Sequence, residues 1–184
     1  MAPYKRPGHR ESLEINPNPR RAAVLALFYE KENQPFLLMM QRNEYDGAHS
    51  GQICFPGGSI EGSDQNHIHA ALREAQEELN VTPNQVQVYG ELSPLYIPPS
   101  KFLINPVVGV YRGEPLWKPD TYEVKHIIEV PVQMLLDDRN VKNGPVYAPS
   151  LQSNINVPYY QFHKSVVWGA TAMVLSELKE FLHE

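Results

Sequence analysis

Short apolar runs separated by polar breaks recur along the chain and predict a series of strands. Runs at 22–28 and 35–40, with the polar stretch 29–34 between them, indicate two neighbouring strands. Pro106 lies inside a later run and indicates an edge, an end or a bulge, because proline lacks the amide that a strand ladder needs. The predicted strands cover residues 22–28, 35–40, 86–92, 102–111, 124–130 and 157–162.

Helical periodicity is clearest between residues 68 and 79. Asp64 or Asn66 is placed to cap the start of this helix, and Asn80 is placed to end it in the left-handed conformation. A single apolar stripe recurs at i, i+3, i+4, i+7 and i+11, and it consists of Ile68, Ala71, Leu72, Ala75 and Leu79.

Two further helices are predicted, a short one over 132–136 and a closing one over 167–182. We interpret Trp168, at the start of the closing helix, as a core residue. Strands combined with helices at separate points predict an α/β fold in which helices cover a mixed sheet. The apolar face of the closing helix is predicted to contain Val167, Ala170, Val174, Leu178 and Phe181.

The composition fits one ordinary domain. The chain has 184 residues, of which 42% are hydrophobic, so gross disorder is excluded. Residues 1–20 are polar and contain four prolines, and we interpret them as an N-terminal arm beside a single domain over 21–184. The formal net charge is −5, without a long basic cluster, which excludes a nucleic-acid partner gripped by its phosphates.

Cysteine usage and the distribution of apolar residues indicate a cytoplasmic protein. Cys54 is the only cysteine, so an internal disulfide is excluded and a reducing compartment is favoured. The first residues lack the apolar core of a secretion signal. No apolar run approaches the roughly 20 residues of a membrane span, so no membrane association is expected.

Three carboxylates on the first predicted helix are the sharpest chemical feature. Glu74, Glu77 and Glu78 stand at i, i+3 and i+4 and therefore share one side, where they repel one another. A divalent cation turns this repulsion into ligation, and oxygen ligands suit Mg²⁺ or Mn²⁺ better than zinc. The glycine turn before the helix permits close approach of the backbone, so the carbonyl of Gly58 is a further candidate ligand.

The segment 58–81 resembles the signature box of the Nudix hydrolases, G-x(5)-E-x(7)-R-E-U-x-E-E-x-G-U, where U is aliphatic. Asp64 replaces the first Glu of the box, one extra residue precedes Arg73, and Asn80 replaces the last glycine. The resemblance implies a Nudix-type α/β/α sandwich with a mixed, curved sheet between helices. It also implies hydrolysis of a pyrophosphate bond that joins a nucleoside diphosphate to another group.

Most of the chain resembles the coenzyme A pyrophosphatase branch of that family. The stretch 49–58, His-Ser-Gly-Gln-Ile-Cys-Phe-Pro-Gly-Gly, and the run 72–78 match its landmarks, whereas Met40, Asn43 and Gly47 depart from its upstream signature. Coenzyme A or a derivative is therefore the expected substrate. Diphosphatases for ADP-ribose, a dinucleotide or a nucleotide sugar stay open as alternatives, and so does a non-catalytic nucleotide-binding module.

The resemblance also implies roles for individual residues, and it leaves a homodimer open. Glu74 and Glu78 are expected to bind Mg²⁺, with Glu77 and the Gly58 carbonyl as further ligands, while Arg73 holds the loop against the helix. In this family the general base is often a carboxylate on a mobile loop outside the box, which makes Glu123 the first candidate and Glu74 the second. The residues expected to bind substrate are Arg42, His49 and Gly51.

Overall fold

The fold is taken from a computed structural model that describes residues 18–45 and 50–183. The predicted N-terminal arm lies almost entirely outside these residues, and its last residue, Arg20, already begins the first strand. Within the described residues, no helix has the length and apolar character needed to span a membrane.

A mixed sheet forms the centre of the molecule. Its strands are β1 (Arg20–Lys31), β2 (Gln34–Arg42), β3 (Ile53–Cys54), β4 (Gly57–Ser59), β5 (Val86–Glu91), β6 (Leu95–Ile97), β7 (Phe102–Tyr111) and β8 (Val124–Pro131). The strand order is β3-β2-β1-β7-β5, with β4 paired to β1, β6 to β7 and β8 to β2, and β1 and β7 run parallel. The strands predicted over 22–28, 35–40, 86–92, 102–111 and 124–130 are confirmed here.

Strand β1 exchanges one neighbour for another along its length. Residues 27–31 pair with β2, whereas residues 22–24 pair with the short strand β4. Gly57 makes the second pairing possible, because a Cβ added there would lie 2.4 Å from the carbonyl oxygen of Ala23. Strand β4 therefore lies close against β1, and Ile60, directly after it, still donates a backbone hydrogen bond to the carbonyl of Arg21.

Helix α1 (His67–Leu79) covers one face of the sheet, as the periodicity predicts. The Asn66 side chain caps its start by accepting a hydrogen bond from the backbone N–H of His69, and Asn80 ends it with a left-handed φ of 58°. Asn66 rather than Asp64 is thus the capping residue. The apolar stripe packs on the sheet in a core that includes Leu25, Leu27, Leu38, Met40, Ala71, Ala75 and Leu79.

Helices α2 (Val132–Leu136) and α3 (Gly169–His183) cover the other face, so the α/β/α arrangement is confirmed. Helix α3 begins two residues later than predicted, because Val167 belongs to a strand. Phe181 is 60% exposed, which makes its predicted burial wrong. The core on this side includes Leu37, Met39, Phe55, Leu135, Val174, Leu175 and Leu178.

A second, three-stranded antiparallel sheet packs beside α3, and the sequence predicts only part of it. It consists of β9 (Val141–Ala148), β10 (Ser153–Phe162) and β11 (Ser165–Val167), with β10 in the middle. The run predicted at 157–162 is the last part of β10. Strand β9 carries Gly144 and Pro145 and buries only Ala148, so it offers no apolar run from which a strand can be predicted.

Pro106 lies in an interior strand, which corrects the expectation of an edge, an end or a bulge at that residue. Strand β7 pairs with β1 on one side and with β5 and β6 on the other. The carbonyl of Pro106 accepts a hydrogen bond from Leu92, which lies between the end of β5 and the start of β6. The missing amide therefore faces a break between two partner strands, where no ladder bond is lost.

Candidate active site

Glu78 is the most deeply buried carboxylate on α1, with 2% of its surface exposed. The backbone N–H of Gly57 donates to Oε2 at 2.8 Å, and Nη1 of Arg42 donates to Oε1 at 3.2 Å. One partner comes from β4 and the other from the end of β2. The carboxylate therefore connects α1 to β4 and to β2, the two strands that pair with different parts of β1.

The electrostatic environment of Glu78 disfavours its charged form. Burial raises its pKa to about 8, although the Gly57 amide and the Arg42 guanidinium oppose the shift and the nearby charges of Glu74 and Glu123 add to it. A buried carboxylate with two like charges nearby lacks sufficient positive charge. Glu78 is therefore a candidate ligand for a cation.

Glu74 lies one turn before Glu78 and touches the glycine turn. A Cβ added to Gly58 would lie 2.5 Å from the Glu74 carboxyl group, so any other residue at this position would displace that carboxylate. Burial raises the pKa of Glu74, the charges of Glu77 and Glu123 add to the effect, and Arg73 opposes it. The predicted proximity of Gly58 to the carboxylates is therefore present in the structure.

Glu77 is much more exposed than Glu74 and Glu78, although it shares a helix with them. Its side chain is 60% exposed, and Nη1 of Arg73 donates to its Oε2 at 3.1 Å. Within 18–45 and 50–183, no three Asp, Glu, His or Cys side chains already converge in metal-binding geometry. The donor set nevertheless fits a hard divalent cation. Glu74 is half-buried, Glu78 is buried, and their two carboxylates repel each other.

Arg73 joins the box loop to the helix, as expected. Its Nε and Nη2 donate to the two carboxylate oxygens of Asp64 at 3.1 and 3.0 Å, and Nη2 also donates to the Ser59 carbonyl. Arg73 pairs with Glu74 at 3.0 Å as well. These bonds hold the pKa of Asp64 well below its usual range. Arg73 thus fixes the loop that carries Gly58 and orients Glu74.

Glu123 reaches the same site from outside the signature box. It directly precedes β8, and its Oε2 lies 3.4 Å from Nη2 of Arg42. Arg42 therefore spans the two carboxylates of Glu78 and Glu123. Glu123 is 55% exposed, which leaves it open to water.

The loop before Glu123 is tied to the end of α1. The backbone N–H groups of Lys118 and Asp120 donate to the carbonyls of Leu79 and Glu78. Trp117 packs on Tyr29 and Tyr111, with ring centroids 5.2 and 4.9 Å apart, so it is not exposed as a stacking surface for a base. These contacts anchor the segment that positions Glu123.

The structure describes two of the three residues expected to bind substrate and places them in different positions. Gly51 adopts a left-handed φ of 66°, and its carbonyl accepts a hydrogen bond from Gln41, so it shapes the turn after β2. His49 lies outside the described residues. Of the two that the structure describes, Arg42 lines the cleft that contains Glu74 and Glu123, and Gly51 does not.

That cleft has a volume of about 620 Å³ and two chemically different halves. Arg42, Glu74 and Glu123 line one half, beside Gly57 and Gly58. Trp168 is half-buried and lines the cleft, which corrects its interpretation as a core residue. No helical or strand periodicity distinguishes such a position from a core position. The other half is mainly apolar and includes Ile97, Pro99, Phe102, Ile104, Trp168 and Val174.

Cys54 also lines the cleft but has the character of an inert thiol. Burial raises its pKa to about 12, and the charge of Glu78 adds to the effect of burial while Arg42 opposes it. The raised pKa disfavours the thiolate that nucleophilic attack requires. The side chain is half-buried, and Arg42 is the neighbouring positive charge.

Comparisons with known proteins identify the same family as the signature box. A model of the NUDIX domain family matches residues 19–147. The chain is 36% identical to the Nudix hydrolase NudL of Salmonella paratyphi B over 161 residues, which is 88% of this chain and 82% of NudL.

Solved structures show the same fold. A Nudix hydrolase from M. smegmatis, RenU, superposes with a TM-score of 0.61 at 15% identity, covering 89% of this chain and 86% of RenU. The Ap4A hydrolase of C. elegans superposes with a TM-score of 0.60 at 13% identity, covering 89% and 98% of the two chains.

We expect Asp64→Asn to lower the free energy of unfolding by about 1.5–3 kcal/mol near pH 7, because it removes a charged partner of Arg73. The Asp64 side chain has no exposed surface, and its folded pKa is depressed. Its stabilisation is therefore full above the unfolded pKa of about 3.9 and is lost as the pH falls through the folded pKa.

Urea unfolding of the wild type and Asp64→Asn at about pH 7 and about pH 3 measures this effect. The difference in stability between the two proteins should shrink at the lower pH. Glu114→Gln, at an exposed position, is the matched control. A difference of the same size at both pH values would contradict a charged Asp64–Arg73 pair.

Proposed function

Because the chain belongs to the Nudix hydrolase family, whose members hydrolyse nucleoside diphosphate-linked substrates, we propose that it cleaves the pyrophosphate bond of coenzyme A or a derivative with Mg²⁺. One observation carries the proposal: the buried Glu78 lies near Glu74 and Glu123 beside a cleft that continues into an apolar half. The resemblance of 49–58 and 72–78 to the coenzyme A branch supports this choice of substrate.

We assign the metal to the carboxylates of α1. Glu74 and Glu78 are the proposed principal ligands, and Glu77 and the Gly58 carbonyl are the proposed further ligands. The close approach of Glu74 to Gly58 and the raised pKa of Glu78 support this assignment. Bound Mg²⁺ supplies neutralisation of the diphosphate charge and a lowered pKa for the attacking water, and Mn²⁺ has the same ligand preference.

Glu123 is the proposed general base. It is open to water and lies at the cleft with Arg42. In the proposed step a water oxygen attacks one phosphorus, the bridging P–O bond breaks, and Glu123 accepts the proton of the water. Arg42 then faces the negative charge of the diphosphate, while Arg73 holds the loop and Glu74 in place.

Metal binding by Glu78 is testable by thermal unfolding. Mg²⁺ at 100 times its dissociation constant should stabilise the wild type by about 2.7 kcal/mol. Glu78→Gln should lose this increment, because it removes a ligand charge. Without metal the change in stability should be small, because the loss of the ion pair with Arg42 opposes the relief of a buried charge whose pKa is raised.

Glu180→Gln, an exposed change on α3, serves as the control and should keep the full response to Mg²⁺. An equal Mg²⁺ response of Glu78→Gln and the wild type would remove Glu78 from the proposed metal ligands.

Coenzyme A cleavage is testable by product release. Incubation with coenzyme A and Mg²⁺ should release 3′,5′-ADP and 4′-phosphopantetheine, and Glu78→Gln should abolish the release. A parallel panel contains ADP-ribose, a dinucleotide and a nucleotide sugar. Turnover of a panel member with intact coenzyme A would overturn the choice of substrate, and metal and nucleotide binding without any turnover would indicate a binding module.

The role of Glu123 is testable by steady-state kinetics. Glu123→Gln should lower kcat about 10²- to 10⁴-fold and change KM much less, because the base acts on water and not on substrate binding. If Glu123→Gln keeps the wild-type kcat, Glu123 is not the base and Glu74 takes its place as the candidate.

A further inference from the structure

The apolar half of the cleft has no part in the chemistry of the carboxylates. We infer that it binds an extended, largely aliphatic arm attached to the diphosphate and that Trp168 is a wall that selects for this arm. The inference rests on the proposed function and deepens it by assigning the two halves of the substrate to the two halves of the cleft. Ile97, Phe102, Ile104, Trp168, Ala170 and Val174 line the apolar half.

The floor of this half is a continuous surface of the sheet. In the parallel pair of β1 and β7, Ala22 is opposite Ile104. Residues two apart on a strand face the same side, so Ala22 and Val24 share a face with Phe102 and Ile104. All four line the cleft. A bound chain can therefore extend along the sheet from the glycine turn towards Phe102.

The walls come from two separate elements. One wall contains Ile97 and Pro99, at the end of β6 and in the turn that follows it. The other contains Trp168 and the first residues of α3. The volume of about 620 Å³ lies within the roughly 300–1,000 Å³ of small-molecule sites, and it leaves room beyond the diphosphate.

The chemistry of the lining favours an aliphatic arm over a nucleobase. A base carries several ring and exocyclic polar groups, and burying them without hydrogen bonds is unfavourable. The charged lining residues are Arg42, Glu74 and Glu123, on the other side of the cleft. The apolar half also contains Ser100 and Thr171, whose two hydroxyl groups are fewer than the polar groups of a base. The guanidinium of Arg20 already covers a face of the Phe102 ring, 4.2 Å from its centroid, so that face is closed to stacking.

The first test compares Trp168→Ala with Phe181→Ala, an exposed aromatic residue on the same helix. Trp168→Ala should raise KM for coenzyme A about tenfold and change kcat much less, because the arm is bound equally in ground state and transition state. Phe181→Ala should leave both parameters unchanged. Normal cleavage of coenzyme A with an unchanged KM in Trp168→Ala would overturn the inference and leave the proposed function intact.

The second test measures binding and needs no turnover. We expect 4′-phosphopantetheine to alter the tryptophan emission of the wild type, and Trp168→Phe to lose this response, since Trp117 lies away from the cleft. We expect 3′,5′-ADP to leave the Trp168 emission unchanged. A response to 3′,5′-ADP alone would place the base on Trp168, and a response to neither compound would show that no arm binds there; both results overturn the inference.

If coenzyme A is not cleaved, the proposed function fails independently of this measurement. The response to 4′-phosphopantetheine then still decides whether the apolar half binds an aliphatic arm. Because Trp168→Phe keeps an aromatic ring at the wall, it tests the assignment without removing the packing that Trp168→Ala removes.

Discussion

The candidate site depends on one buried carboxylate. Glu78 accepts hydrogen bonds from the Gly57 amide and from Arg42, and it thereby joins α1, β4 and β2 at one point. Burial of a charge is unfavourable, and it raises the pKa of this group to about 8. The fold keeps an electrostatically strained group at its centre, and such groups are concentrated at functional sites.

The other parts of the site follow from the way the chain is held around Glu78. Strand β4 can lie against β1 only because Gly57 has no Cβ, and Gly58 leaves space for Glu74 in the same way. Arg73 fixes the loop after β4 through Asp64. The loop that ends at Glu123 donates hydrogen bonds to the carbonyls of Leu79 and Glu78. The last turn of α1 therefore carries the Glu78 carboxylate and also anchors the loop that positions Glu123.

The cleft combines a charged half and an apolar half, and each half is built from more than one helix or strand. Its charged half requires α1, β2 and the start of β8, whereas its apolar half requires β7 and α3 from the opposite face of the sheet. The parallel pairing of β1 and β7 connects the two halves, because it places Ala22 beside Ile104. A substrate that is charged at one end and aliphatic at the other matches this arrangement.

The sequence by itself determined the features that depend on local periodicity and on short-range caps. These include the five longest strands of the central sheet, the helix of the signature box, its left-handed end at Asn80 and the family to which the chain belongs. Only the tertiary structure decided which carboxylates are buried, because Glu77 and Glu78 are adjacent on one helix while β4 covers just one of them. It also decided that Trp168 lines a cleft and that Phe181 is exposed, since an apolar stripe does not reveal what lies opposite it.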